Sequence, residues 1–266
     1  MKLNNPTHIP KYPVQTLEKA LDIIDLLSKT GARNSLGISD ISRKLGLGKS
    51  TVHRILDTLV AAKYIERCPR THGYRLGWRL FEIGNKVPLQ HDLYSFDYEI
   101  LQDLCDEFSE AVNFGVRDEK DVVIVSKVDP ETRLKVNRQI GTREPLHATS
   151  IGKVLISELP DEELNKLLGS TPLEAFTPGT ITTLDDLKVE IEKVRVQGFA
   201  IDNEELFQGL VCIAMPIRDY DNKIVAALSV SGPSFRMNFN KLTNIKIKLQ
   251  QVSRELSDYM GAESRS

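Results

Sequence analysis

The sequence predicts an α+β protein with two domains, and three observations support this prediction. Its 266 residues are enough for two ordinary domains. Apolar residues recur at helical spacing through the first third of the chain, and strand-like runs follow. Residues 1–77 hold 13 Lys and Arg against 6 Asp and Glu, a net charge of +7, whereas residues 78–266 have a net charge of −9. Such asymmetry is typical of a nucleic-acid-binding domain joined to a domain with another task.

The N-terminal domain is predicted to span residues 14–76. Residues 1–13 contain three prolines and no periodicity, so they are predicted to form a flexible arm. A helix is expected next, with Thr16 as its N-cap, Leu21 and Ile24 on its apolar face, and Gly31 at its end. This helix would give the domain its first packing surface.

Residues 38–57, ISDISRKLGLGKSTVHRILD, predict two short helices joined by a tight turn. Gly46 lies where the chain must turn sharply, which glycine does without steric cost. Ser39 is the expected cap of the first helix and Gly48 that of the second. The second helix has a packed apolar back, and its outward positions are polar or cationic: Lys49, Ser50, Thr51, His53 and Arg54. A helix of this kind fits the DNA major groove.

The outward residues of that second helix have different expected roles. Arg54 is placed either to bind a guanine through two hydrogen bonds or to bind a phosphate. Ser50 and Thr51 are expected to bind phosphates, and Lys49 lies in the same first turns, which meet the base edges in this docking geometry. His53 is either a groove contact or a surface residue.

Residues 64–76, YIERCPRTHGYRL, have the pattern of a basic β-hairpin and complete a winged helix-turn-helix. A hairpin cannot fill the major groove while a helix lies in it. Arg70 and Arg75 on this wing are therefore expected to contact the DNA backbone or the minor groove. Residues 77–92 are predicted to form a linker helix, interrupted at Pro88.

Residues 93–262 are predicted to form the second domain, which begins with a helix whose apolar stripe runs from Leu93 to Phe108. Strands then surround three further helices, and a last helix follows. The predicted strands are residues 112–117, 122–128, 134–139, 199–202, 210–219 and 224–232. The predicted helices are residues 150–159, 161–168 and 184–197. The last helix has an apolar seam from Leu242 to Tyr259, which packs either within the chain or on another subunit.

Several segments together resemble the IclR family of bacterial transcriptional regulators. They are VQTLEKALDIIDLL, GLGKSTVHRILDTLVAAKYIER with GYRLG, PLHATSIGKVLIS, GFAIDNEELFQGLVCIAMPIRD and AALSVSGPSFR, in the order and at the spacing of the family. The resemblance runs from about residue 14 to residue 260. It implies a winged helix followed by a GAF-like effector-binding domain with a mostly antiparallel sheet. One departure is Gly48, where family members often have serine.

The resemblance also implies what the protein does and which residues do it. It implies a sequence-specific regulator, expected to be a repressor of catabolic genes, that binds operator DNA as a homodimer or a dimer of dimers. A small organic acid is the implied effector. The implied pocket residues are Ser150, Ile151, Asp202, Leu210, Cys212, Ser229 and Ser231. The residues from Ser150 to Gly152 also open a helix, where free N–H groups favour an anion.

Two other classes of protein are weighed against this interpretation. His147, Asp202 and Cys212 are residue types that suit a thiol enzyme or a zinc site, although their spacing forms no compact motif. An architectural DNA-binding protein would need no polar cluster on the strands of an acidic domain. Ile151 and Cys212 can also be simple core residues. The sequence contains no glycine-rich nucleotide loop, so no cofactor is expected.

The composition favours a cytoplasmic protein. Hydrophobic residues make up 41% of the chain and charged residues 27%, which is ordinary for a globular protein. No apolar run is long enough to span a bilayer, and the N-terminus lacks the apolar core of a signal peptide. Because no segment can span a bilayer, no membrane partner is expected. Cys68, Cys105 and Cys212 are widely spaced and odd in number, so no disulfide framework is expected.

Overall fold

The chain folds into two units, residues 1–91 and residues 92–266, as the sequence predicts for an α+β protein of two domains. The computed structural model describes residues 10–31, 35–87, 90, 98–132, 139–169 and 172–262. Within these ranges, no helix combines the length and the apolar composition that crossing a membrane requires.

The N-terminal unit consists of short helices and a hairpin. Its elements are α1 (Gln15–Ser28), α2 (Ile38–Leu45), α3 (Lys49–Ala61), β1 (Ile65–Arg67), β2 (Tyr74–Leu76) and α4 (Trp78–Gly84). Side chains from α1, α2, α3 and β1 form its core: Ile23, Leu27, Ile41, Val52, Ile55, Leu56 and Ile65. The strands β1 and β2 pair antiparallel, and Leu36 bridges to Tyr74 beside them.

The turn between α2 and α3 has the conformation predicted from its glycines. Gly46 has a φ of 65°, in the left-handed region that glycine adopts without strain. Its N–H donates to the carbonyl of Ser42, and the Ser42 hydroxyl donates to the carbonyl of Leu47 at 2.5 Å. These bonds fix the angle at which α3 leaves α2, and so decide which side chains of α3 face outward.

Two predicted helix caps are wrong. Helix α1 begins after Val14 and α2 begins after Gly37, so Thr16 and Ser39 lie inside the first turns. In each case the backbone carbonyl of the residue before the helix accepts the first helical bonds, and no side chain caps the end. Gly48 is the N-cap of α3, as predicted.

The linker helix predicted at residues 77–92 is shorter in the structure. Helix α4 ends at Gly84, and turn hydrogen bonds continue to Val87. Pro88 and the predicted domain start at residue 93 lie outside the described residues.

The second unit is a mixed α and β fold around one sheet. Its elements are α5 (Tyr98–Phe108), β3 (Ala111–Asp118), β4 (Asp121–Val128), β5 (Arg143–Pro145), α6 (Ser150–Leu155), α7 (Asp161–Leu168), α8 (Leu184–Gln197), β6 (Ala200–Asn203), β7 (Leu210–Arg218), β8 (Ile224–Pro233) and α9 (Phe239–Tyr259). Among the described residues, the strand order is β5-β4-β3-β8-β7-β6, and every pairing is antiparallel.

Two predicted elements differ from the structure. The helix predicted to reach residue 159 ends at Leu155, and Pro160 is the N-cap of the next helix, α7. The strand predicted at residues 134–139 falls outside the described residues except for Gln139, which is not in a strand. The short strand β5 was not predicted.

The sheet has two covered faces. Helices α5 and α9 pack on one face, where Ile245, Leu249, Val252 and Leu256 of the α9 seam are buried against Phe114 and its neighbours. The seam therefore packs within its own unit. Helices α6, α7 and α8 belong to the core on the other face, where small residues of the sheet, including Ala200, Ala214 and Ala227, face larger side chains from the helices.

A buried carboxylate joins the strands to the start of α9. Glu110 is 1% exposed, accepts two hydrogen bonds from the Arg236 guanidinium at 2.8 and 2.7 Å, and accepts one from Lys241 at 2.7 Å. Burial by itself would raise the pKa of Glu110, but the bonds from Arg236 and Lys241 outweigh it and hold the pKa below its usual value.

We expect Glu110→Gln to reduce stability at neutral pH and to flatten the loss of stability in acid. A carboxyl whose pKa is lowered in the folded state contributes stability above its unfolded pKa, and loses it as the pH falls through the folded pKa. Urea unfolding between pH 7 and pH 3 measures this, and the two proteins should converge toward the acid end. Glu255→Gln, at an exposed site on α9, is the control. If the free energy of unfolding falls with pH in parallel for wild type and Glu110→Gln, the bonds from Arg236 and Lys241 do not stabilise the Glu110 carboxylate as described.

Candidate functional sites

The outward face of α3 is exposed and basic. Val52, Ile55 and Leu56 are buried in the core of the unit. On the opposite side, four of the predicted residues are exposed and Thr51 is half-buried. The exposed four are Lys49, Ser50, His53 and Arg54. None of the five forms an ion pair with another described residue, so their polar groups are available to an external partner.

The start of α3 is also available to an anion. Gly48 supplies no side-chain hydrogen bond to the first N–H groups of the helix. These groups and the positive end of the helix dipole favour a phosphate. The backbone at Gly48 has a φ of −62° and a ψ of 139°, which other residues can adopt. The glycine therefore leaves the helix start open without being required by the backbone.

The two arginines of the wing differ in their surroundings. Arg70 lies exposed in the turn between β1 and β2. Arg75 stands directly opposite Glu66 in the strand pair, and its Nε donates to Glu66 Oε1 at 2.6 Å. A DNA phosphate must compete with that carboxylate for Arg75, so Arg70 is the better placed of the two to bind the backbone.

Strand pairing brings the predicted effector residues together in the second unit. Cys212 stands opposite Asp202 on one side and opposite Ser231 on the other. Ser229 stands opposite both Ala214 and Asn113. Residues directly opposite in an antiparallel pair point to the same face, and so do residues two apart on one strand. Six side chains thus lie on the side of the sheet that faces α6, and we call them the polar face: Asn113, Lys127, Asp202, Cys212, Ser229 and Ser231.

The polar face contains hydrogen-bonding atoms that other described residues do not satisfy. Asn113 and Ser229 are fully buried, and Asn113 Nδ2 donates to Ser231 Oγ at 3.2 Å. Asn113 Oδ1 and Ser229 Oγ have no hydrogen-bond partner among the described residues. A buried polar group without a partner is costly, and a bound molecule is one way to satisfy it. Asp202 is held in place, because its Oδ1 accepts from the Glu205 N–H at 2.7 Å.

The start of α6 carries a side-chain cap. Thr149 caps this helix, and its hydroxyl oxygen accepts from the Gly152 N–H at 3.0 Å. The Gly152 amide is therefore bonded within the chain, whereas the wider prediction of an anion at the amides of Ser150 to Gly152 stays a prediction. Gly152 serves packing instead, because a Cβ placed on it would lie 2.2 Å from the carbonyl oxygen of Leu146.

The other three residues predicted for the effector pocket are all buried. Ser150 is buried at the first position of α6. Ile151 belongs to the apolar core, and its side chain packs against the backbone of Gly115. Leu210 is buried at the start of β7, two residues before Cys212 and on the same face. Apolar walls of this kind surround the polar atoms.

The alternative site of His147, Asp202 and Cys212 is not assembled as a metal centre. His147 Nε2 lies 2.9 Å from the carbonyl oxygen of Glu174, and its ring lies beside that of Phe176. Among the described residues, no group of three or more His, Cys, Asp or Glu could hold a metal ion.

Two buried lysines near the site were not singled out from the sequence. Lys153 on α6 is fully buried; its Nζ donates to Glu205 Oε1 at 2.6 Å and to the Ile201 carbonyl at 2.5 Å, and it lies 3.4 Å from Glu190 Oε1. We name Lys153, Glu190 and Glu205 the Lys153 cluster. Because Glu205 also holds Asp202, this cluster fixes one end of the polar face.

Lys127 on β4 lies at the other end of the polar face. It stands opposite Asn113, its side chain is 6% exposed, and its Nζ lies 2.7 Å from Asp129 Oδ1. A register shift between Phe114 and Gly115 inserts one extra residue in β4. With simple alternation along β4, the side chains of Lys127 and Ile124 would lie on opposite sides of the sheet. The bulge places both on the side that faces α6.

We expect Lys153→Met to lower the free energy of unfolding by about 3–5 kcal/mol, because it leaves the Glu205 carboxylate buried without its cation. Urea unfolding measures the loss. The double variant Lys153→Met/Glu205→Gln should recover part of it by removing the stranded charge. Lys188→Met, which removes a partly exposed lysine 3.8 Å from Asp161, is the matched control and should cost much less. Equal losses for Lys153→Met and Lys188→Met would contradict a special contribution of the Lys153 cluster to stability.

Comparisons with known proteins agree across nearly the whole chain. Residues 16–69 match the family model described as IclR helix-turn-helix domain, and residues 86–258 match the one described as Bacterial transcriptional regulator IclR C-terminal. The chain is similar to the HTH-type transcriptional regulator XynR of Escherichia coli, with 36% identity over 248 residues, which cover 93% of this chain and 98% of XynR.

A second relative and a crystal structure show the same similarity. The HTH-type transcriptional repressor AllR of Escherichia coli is 31% identical over 250 residues, covering 94% of this chain and 92% of AllR. The crystal structure of the Thermotoga maritima IclR aligns with a TM-score of 0.79 and 28% identity, covering 93% of this chain and 99% of that one. The similarity thus extends over both units.

Proposed function

The chain belongs to the IclR family of bacterial transcriptional regulators, and we propose that it represses a catabolic operon until a small carboxylate binds its second unit. Membership makes it a DNA-binding regulator and not an enzyme, so the thiol-enzyme alternative is set aside. The observation that carries the proposal for the effector is that two buried atoms of the polar face, Asn113 Oδ1 and Ser229 Oγ, have no hydrogen-bond partner in the part of the chain that the structure describes. A regulator that binds operator DNA would work in the cytoplasm.

The DNA site that we propose is the outward face of α3 together with the wing. Lys49, Ser50 and Arg54 would enter the major groove, with Thr51 and His53 beside them, and Arg70 would reach the backbone. The exposure of these side chains and the uncapped start of α3 support this. Arg54 is the residue that we assign to a base edge, since a guanine accepts two hydrogen bonds from one guanidinium.

We expect Arg54→Ala to weaken binding to the cognate operator by about 5- to 150-fold, and to weaken binding to random DNA much less. A bidentate contact to a base contributes about 1–3 kcal/mol of discrimination, whereas a phosphate contact contributes to all sequences alike. Fluorescence anisotropy with labelled operator and scrambled duplexes, at one fixed salt concentration, measures both affinities.

Lys29→Ala, which removes a positive charge just after α1, is the matched control for the change in charge. It should lower both affinities by a similar small factor. Equal losses on the two duplexes for Arg54→Ala would reduce Arg54 to a backbone contact, as the sequence alone also allowed.

We propose a homodimer as the DNA-binding form, or a dimer of dimers. One winged helix buries too little surface for specific binding, so two copies on an inverted repeat are needed. The N-terminal unit exposes large apolar side chains on two of its helices, which a second copy could cover. Trp78 and Phe81 on α4 are 73% and 63% exposed, and Leu17 and Leu21 on α1 are also exposed. Large exposed apolar groups are typical of interfaces.

The effector that we propose is a small anion with hydroxyl groups. It would lie between α6 and the polar face, with Ser229 and Ser231 hydrogen-bonded to it and its hydroxyls bonded to Asp202. Ser150, Ile151, Gly152, Leu210 and Cys212 would form the walls. The Gly152 amide is already bonded to Thr149, so the amides of Ser150 and Ile151 are the ones that we propose for the carboxylate.

We expect the double variant Ser229→Ala/Ser231→Ala to bind the effector at least about tenfold more weakly, because two hydrogen bonds to a charged ligand are lost. A thermal-shift screen of sugar acids, keto acids and aromatic acids would first identify a ligand, and calorimetry would then compare the proteins. Ser126→Ala is the matched control, since Ser126 stands opposite Phe114 on the other face of the sheet. Unchanged affinity in the double variant would overturn the proposed site.

A further inference from the structure

We propose that residues 174–180, which we name the strap, close the effector site, and that Thr180 holds the strap shut. This inference rests on the proposed function, because it concerns how the effector reaches the polar face. Asn113 and Ser229 on that face are fully buried. A ligand therefore reaches them only if part of the chain moves, and the contacts of the strap make it the part that moves most easily.

The strap joins the two sides of the proposed site. At its first residue, the Glu174 carbonyl oxygen lies 2.9 Å from Nε2 of His147, which lies just before helix α6. At its last residue, the Thr180 hydroxyl donates to the Glu205 carbonyl at 2.6 Å. Glu205 in turn donates its N–H to Asp202 on the polar face. The strap thus runs from the start of the helix that covers the polar face to the end of a strand that forms it.

The other elements around the polar face are fixed more firmly. Every residue of α6 is buried, and Lys153 bonds this helix to Glu205. The strands are held by continuous ladders of backbone pairing. The strap contains no helix or strand, and five of its seven residues are exposed. A surface segment held by a few side-chain bonds opens at a lower free energy than a core helix or strand.

Thr180 both shapes the strap and attaches it. Its hydroxyl oxygen accepts from the N–H groups of Phe176 and Thr177, at 3.0 and 2.9 Å, while the hydroxyl donates to the Glu205 carbonyl. Thr177 adds a second attachment, because its hydroxyl donates to the Glu204 carbonyl at 2.6 Å. Thr180 is 9% exposed, so removing its hydroxyl would leave these backbone groups without a partner in the closed state. In an open strap they would bond to water.

The strap also acts on a residue of the effector site. When it is open, the Glu205 carbonyl is free of Thr180, and Glu205 is the residue that holds Asp202. A ligand would enter while the strap is open and would be enclosed when Thr180 bonds to Glu205 again. Closure excludes water, and hydrogen bonds to the ligand are stronger in such surroundings.

The test measures access to the polar face without any effector, through the alkylation of Cys212 by iodoacetamide in the full chain. Cys212 lies on the polar face and is 2% exposed. Thr180→Val keeps the shape of the side chain and removes its hydroxyl, so the strap should open more often. We expect Cys212 to react at least about tenfold faster than in wild type, as measured by peptide mass spectrometry. Thr180→Ser restores the hydroxyl and should react at nearly the wild-type rate.

Two controls separate opening of the strap from wider unfolding. Cys105, in the same molecules, is 1% exposed and lies in the core on the other face of the sheet. Burial raises the pKa of Cys105 to about 11, so each thiol is compared with itself in wild type. Thr182→Val, at an exposed position two residues after the strap, is the matched control and should change neither rate.

The outcomes decide between an entrance and a purely structural loop. Faster reaction of Cys212 alone, in Thr180→Val alone, supports the proposal. Equal acceleration of Cys212 and Cys105, or equal acceleration in Thr182→Val, overturns it. An unchanged rate at Cys212 in Thr180→Val also overturns it, because the polar face would then open elsewhere. Each of these failures leaves the proposed function intact, since the loss of effector binding in Ser229→Ala/Ser231→Ala tests that function separately.

Discussion

The close approach of α6 to the sheet is the constraint on which the second unit depends. Gly152 allows the helix backbone to lie against Leu146, and Gly115 allows Ile151 to lie against β3. Small side chains of β6, β7 and β8 form part of the floor beneath it. This arrangement buries Lys153 completely and encloses polar groups from several strands in one layer. Without it, Asn113 and Ser229 would face water.

The buried layer is held at its two ends by charge. The Lys153 cluster fixes Asp202 through Glu205, and the pair of Lys127 and Asp129 lies at the far edge. The first end is closed, since its cation is fully buried and bonded to protein atoms. The second end is partly open to water, because Asp129 is exposed by about a third.

Much of the fold could be predicted from sequence because its signals are local. The turn at Gly46 and the bounds of α7 and α8 follow from glycine, proline, capping threonine and helical spacing, which act within a few residues. The composition of the polar face was also accessible, since Asp202, Cys212, Ser229 and Ser231 follow from the family resemblance and alternate as strands require. The predicted N-caps of α1 and α2 were wrong, because in both helices only the backbone carbonyl of the preceding residue accepts the first helical hydrogen bonds.

The rest could not be predicted because it depends on distant contacts. Lys127 changes face through a bulge that only strand pairing reveals. Lys153 finds partners on α8, in β6 and just after β6, 37 to 52 residues away in the chain. The occupied amide of Gly152 depends on Thr149 taking the cap position. In each case the residue type was visible and its role was set by the tertiary structure.

We propose that a ligand bound in the second unit changes the affinity of the chain for operator DNA. A ligand achieves this only by binding two states of the protein with different affinities. The direct measurement is the operator affinity of the full chain, by anisotropy, with and without a ligand whose binding calorimetry has established. The account predicts that saturating ligand weakens operator binding by about 5- to 150-fold. An operator affinity that stays the same with the ligand bound would contradict it.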